Sequence, residues 1–245
     1  MEELRKLLVP KPKSLVCVHG STSRLKTTFT PPLEFSYPYE MALISLETYY
    51  SFPNINAKNN HIKITAEGKE LDIHVPVGCY EIKAINDELQ RAIMEKTGDK
   101  KAEARMVLSP NPNTLRCVLV ITKCKVDFNV DNSLCSVLGF EKKVYSEGRH
   151  ESENIVNILS VNTILVNCDV IESSRLNGRE APVIYTFFPD AAPGDKIVNT
   201  PKHLIYIPLT LNVISHMSFW VTDQNGDELD LQGEELTLTF HLKAC

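Results

Sequence analysis

No stretch of this sequence stays apolar for the roughly 20 residues that a helix needs to cross a bilayer, so no membrane partner is expected. Positive charge is in deficit. The formal net charge is −5, whereas a nucleic-acid surface needs clustered lysine and arginine, so no specific nucleic acid is expected. The seven histidines form no pair at one-, three- or four-residue spacing, and no metal site is expected from them. The seven cysteines (Cys17, Cys79, Cys117, Cys124, Cys135, Cys168 and Cys245) are odd in number and never two residues apart, which excludes a zinc knuckle or redox dithiol. Most stand among apolar residues, where a free thiol acts as a small hydrophobe, so a reducing compartment is expected. The amino terminus, Met1 to Pro10, carries no long apolar core and no small-residue cleavage site, so no secretory signal is expected.

Catalytic signatures are missing as well. No Gly-x-Ser-x-Gly elbow occurs. Gly20-Ser21-Thr22-Ser23-Arg24-Leu25-Lys26-Thr27 lacks the glycine directly before the lysine and the helix after it, both of which a phosphate loop uses. Asp223 to Asp230 is rich in oxygens, but its glycine arrives too early for a calcium loop and its flanks read as strands. These absences lead to the expectation of a protein that is not an enzyme and has no cofactor.

What the sequence does have is alternation. Leu236, Leu238, Phe240 and Leu242 point one way, and Thr237, Thr239, His241 and Lys243 the other, the period of a strand with one face in a core. Asn225-Gly226 just upstream predicts a type I′ turn joining this strand to the one before it as a closing hairpin. Ile62, Ile64 and Ala66, then Leu71, Ile73 and Val75, alternate about Glu67-Gly68 and predict another hairpin. Further strands are expected at 15–18, 26–29, 40–50, 103–108, 115–128, 155–171, 183–188 and 203–209, with Pro31-Pro32 interrupting. One helix is expected: Ile82, Ile85, Leu89 and Ile93 recur at three or four residues and Gly98 stops it. A single helical turn is expected to follow Asp131-Asn132-Ser133 and end at Leu138-Gly139-Phe140.

The count of short strands, with no βαβ rhythm and no repeat, predicts an all-β, antiparallel single jelly roll (a β-sandwich) with one inserted α-helix. Residues 1–14 read as a flexible arm and 15–245 as one jelly-roll domain. Trp220 is the only tryptophan and shares a strand face with Ser218 and Thr222, opposite Phe219 and Val221. It is the candidate subunit contact, with burial under a loop or the helix as the alternative.

Three stretches carry a resemblance. The first is Tyr39-Glu40-Met41-Ala42-Leu43-Ile44-Ser45-Leu46-Glu47 with Phe52-Pro53-Asn54-Ile55. The second is Gly78-Cys79-Tyr80-Glu81-Ile82 with its helix, and then Ser133-Leu134-Cys135-Ser136-Val137-Leu138-Gly139-Phe140. The third runs from Asn154-Ile155-Val156-Asn157-Ile158 through Val183-Ile184-Tyr185 and Pro193-Gly194 to Val221-Thr222-Asp223-Gln224-Asn225-Gly226. In order and spacing, from about Glu34 onward, the chain resembles the penton (minor capsid) proteins of Polinton (Maverick) elements and adintoviruses. The resemblance implies a jelly roll in the virion, a homopentamer at the five-fold vertices of an icosahedral shell, and a double-jelly-roll major capsid protein as partner. The competing reading is a ligand-binding jelly roll such as a carbohydrate-binding module, which usually shows several exposed aromatics where this chain has one tryptophan.

Overall fold

A computed structural model describes residues 13–98, 105–172 and 174–245. The arm expected over 1–14 lies outside the described residues except at its end, where the first strand already includes Lys13 and Ser14. The chain opens with β1 (Lys13–Gly20), β2 (Arg24–Glu34) and β3 (Tyr39–Tyr49). A middle stretch holds β4 (His61–Ala66), β5 (Lys69–His74), α1 (Ile82–Thr97), β6 (Met106–Asn111), β7 (Arg116–Ile121) and β8 (Cys124–Asp127). The same stretch ends with α2 (Cys135–Leu138), β9 (Val144–Tyr145) and β10 (Gly148–Glu151). Then come β11 (Ile164–Cys168), β12 (Ser174–Leu176), β13 (Arg179–Ala181) and β14 (Val183–Phe187). The chain closes with β15 (Lys196–Asn199), β16 (Ile207–Pro208), β17 (Val213–Thr222) and β18 (Leu236–Ala244).

Two compact units emerge: residues up to Ser51 together with Val161–Cys245, and Phe52–Ser160 inserted between β3 and β11. The sequence reading drew one domain over 15–245 because strand signals run through both joins without a linker.

The first unit is a jelly roll, as expected. One sheet runs β1-β18-β3-β15, with β16 beside β3, and the other runs β14-β11-β17-β2, all antiparallel. In chain order the eight sandwich strands pair first with eighth, second with seventh, third with sixth and fourth with fifth. That is one long hairpin rolled over on itself, the topology that defines a jelly roll. Its core comes from the alternation. Leu236, Leu238, Phe240 and Leu242 of β18 are fully buried, and Phe240 stacks on Phe219 of the facing sheet with ring centroids 4.3 Å apart.

Three local expectations change here. β17 and β18 do not form a hairpin with each other, because they belong to opposite sheets. Asn225-Gly226 does turn the chain, but only Gly226 has positive φ, so the turn is not type I′. The Asp223 carboxylate holds it instead, accepting the N–H groups of Asn225 at 2.8 Å and Asp227 at 3.0 Å. β2 also continues through Pro31-Pro32. It is an edge strand, and its register slips between Thr28↔His216 and Leu33↔Ile214, so the prolines fall where no ladder bond is required.

The second unit has its own core. β4 and β5 form the expected hairpin, and Glu67 and Gly68 both take positive φ, as a type I′ turn demands. Its sheet runs β5-β4-β8-β9, and a second sheet runs β10-β7-β6. The strand expected over 115–128 is broken into β7 and β8, and that expected over 155–171 shortens to Ile164–Cys168. α1 buries Ile82, Ile85, Leu89 and Ile93, packs against β6 and β5, and ends at Gly98 as anticipated. Phe128, Phe140 and Tyr145 close the core as an aromatic trio.

Candidate functional site

β17 is a central strand of its sheet, and its period of two splits its side chains as expected. Phe219 and Val221 are buried, while Trp220 emerges on the opposite face and is half-buried. Register places Arg24 of β2 directly beside Trp220 on one side and Asn167 of β11 on the other. The Arg24 guanidinium lies over the indole ring, 4.6 Å from its centroid. Glu228 holds that guanidinium in place by accepting its Nε–H at 3.1 Å, and it also accepts the Ser23 hydroxyl at 3.3 Å. Asn167 is buried, and its amide satisfies itself on the carbonyl oxygens of Leu165 and Trp220, both at 3.2 Å. The tryptophan is therefore no bare aromatic. One ring face is covered by its own chain, and beside the half-buried indole an arginine–glutamate pair meets solvent, each side chain about half exposed (51% and 45%).

The jelly roll exposes other large apolar side chains that the sequence reading did not single out. Leu15, Tyr37, Phe188, Val198, Ile205 and Val213 are each more than half exposed. Tyr37 and Phe188 each precede a proline outside a strand, a signal that was there to be read. A cleft of about 260 Å³ opens between the β12–β13 hairpin and β14, lined by Leu176, Ile184, Tyr185, Ile205 and Ile207 among others. It falls short of the roughly 300 Å³ at which drug-sized ligand pockets begin.

All seven cysteines are free thiols, and Cys117, Cys124, Cys135 and Cys168 are buried. Burial pushes the Cys117 and Cys168 thiols up to about 12 and raises that of Cys124 as well, so these three stay protonated and pack as hydrophobes. The structure also brings together three donor side chains that sequence spacing concealed. His61, Asp72 and His74 meet on the β4–β5 hairpin with their ligand atoms within 4.8 Å of one another.

The pairing order and the inserted second unit define a class: a single jelly roll interrupted between its third and fourth strands. Within that class the chain has the fold of a solved viral protein, the mavirus penton protein. The two share 8% of residues, and the match covers 96% of this chain and 100% of that one at a TM-score of 0.52. Such coverage leaves no room for either compact unit to lie outside it. The D2–D3 domains of the flagellar cap protein FliD from Escherichia coli align at 13% identity over 87% of this chain and 99% of that one. Their TM-score of 0.17 carries no argument. No family profile and no curated protein sequence matches this chain.

Proposed function

We propose that this chain is a penton, or minor capsid, protein of a virus-like element of the Polinton (Maverick) and adintovirus kind, with a structural and not a catalytic role. Five copies form a ring at the vertex of an icosahedral shell, and a double-jelly-roll major capsid protein surrounds the ring. The observation that carries this reading is the likeness to the mavirus penton running through both compact units rather than the common jelly roll alone. A jelly roll has sheet edges and broad flanks to cover, and a ring of head-to-tail contacts covers them by closing on itself. The exposed Leu15, Tyr37, Phe188, Val198, Ile205 and Val213 offer apolar surface to such contacts. Trp220 contributes to a subunit contact through the Arg24–Glu228 pair that it supports. The protein resides in the virion after synthesis in a reducing compartment.

Native mass spectrometry of the purified full chain, alone and with its shell partner, tests the reading, and a five-subunit species is expected. A protein that stays monomeric beside that partner and instead binds a sugar or other small ligand overturns it in favour of a ligand-binding module.

A further inference from the structure

We infer that the outer face of the β4–β5 hairpin is a binding site for a divalent transition-metal ion of the zinc type, with His61, Asp72 and His74 as its protein ligands. Antiparallel pairing sets His61 opposite His74 and Lys63 opposite Asp72, so the three donors share one face of the hairpin. The two imidazoles stack with centroids 4.3 Å apart and planes inclined by 13°, and each of the three residues offers an atom within 4.8 Å of the others. Two imidazole nitrogens and one carboxylate oxygen are the donor set of many three-ligand zinc sites, with water completing a tetrahedron. A hard, oxygen-seeking ion such as calcium or magnesium would find too few oxygens here.

The surroundings of His61 point the same way. Its Nδ1 lies 2.9 Å from the Asp131 carbonyl oxygen, the outer hydrogen bond that fixes the tautomer of a metal-ligating histidine and leaves Nε2 to face the ion. Nε2 in turn faces the Asp72 carboxylate. The backbone of His61 is tied on both sides, its N–H donating to Asn132 at 2.9 Å and its carbonyl accepting from Leu134 at 2.8 Å. The opposite face of the hairpin buries Ile62, Ile64 and Ile73 in the core of the second unit, so the strands that carry the ligands are held before any ion arrives. The nearby cation, Lys63, is drawn towards Glu70 at 3.4 Å. Zinc held at about 2.0–2.1 Å requires donor atoms that now stand up to 4.8 Å apart to draw in to roughly 3.4 Å, and one imidazole to turn out of the parallel stack so that both lone pairs reach the ion; the exposed Asp72 and His74 side chains allow this.

The test uses the full chain stripped with a chelator and reads metal binding directly, not assembly. Isothermal titration with zinc chloride is expected to show one ion per chain, and zinc is expected to raise the melting temperature by several degrees. His74→Gln and Asp72→Asn alter exposed side chains, so both variants should fold. Each should weaken zinc binding at least about tenfold, whereas His216→Gln, elsewhere on the surface, should leave it unchanged. Calcium in place of zinc should give neither heat nor shift. Equal zinc binding by wild type and His74→Gln, or no saturable binding by wild type, overturns the inference.

Discussion

Gly139 and Gly226 both hold left-handed backbone, with φ of 79° and 91°, yet their surroundings differ. A Cβ added to Gly139 would stand 2.3 Å from the Asn154 carbonyl oxygen and 2.8 Å from that of Ile155, whereas one on Gly226 would meet nothing within 4 Å. Gly226→Ala should therefore cost about 1 kcal/mol from the backbone alone, and Gly139→Ala more than about 2 kcal/mol. Urea midpoints of the two variants check the difference. A second residue-scale expectation concerns acid. Burial works against the charge on Glu153, but the Lys143 ammonium at 2.6 Å and the Tyr145 hydroxyl at 2.8 Å outweigh it and hold the carboxyl down at about 2. A carboxyl lowered from 4.5 in this way adds stability above about pH 4.5, and the gain is lost as pH falls towards about 2. Lys143 is half exposed, so screening reduces the gain to about 1 kcal/mol. Glu153→Gln should be less stable at neutral pH and lose less on acidification, as pH-dependent urea melts would record.

Among the elements, β18 states its own role most openly. It lies between β1 and β3, and its alternate side chains fill the sandwich. Phe240→Ala removes the ring stacked on Phe219 and should cost about 3–5 kcal/mol, whereas Thr237→Ala on the outer face should stay within about 0.5 kcal/mol. The α1 stripe and the Glu67-Gly68 turn were equally legible, because each depends on residues close in sequence. β2 was not. Its prolines look like a break until the bulge and the edge position remove the need for their N–H groups. The closing hairpin failed for a related reason: a turn sequence bends the chain but does not choose which sheet the next strand joins.

For the whole molecule, the separate core of residues 52–160 leads to the expectation that this fragment folds alone. A cooperative thermal transition of the isolated fragment checks it. Assembly sets a second expectation. In the proposed pentamer each ring contact must bury more than roughly 1,000 Å² to persist in dilute solution, and the charge of −5 per chain opposes closure. Added salt should therefore raise the five-subunit fraction seen by native mass spectrometry or light scattering. Trp220→Ala should lower that fraction while leaving a folded subunit, since the ring lies outside the sandwich core. Unchanged assembly in that variant would remove Trp220 from the contact.

The sequence by itself determined the class of the fold, the helix with its stop, the inward and outward face of the main strands, and the placing of Trp220 on the strand face opposite Phe219 and Val221. Period and turn chemistry are local, and they report which side of its own strand a residue occupies. Which strand lies beside which is decided by burying both sheets of the jelly roll at once, and that is a property of the packed chain. Hence only the tertiary structure paired first strand with eighth, set residues 52–160 apart as a second unit, and laid Arg24 over Trp220. By the same route it brought His61 and His74 face to face: thirteen residues apart they match no ligand spacing, and antiparallel register makes them neighbours.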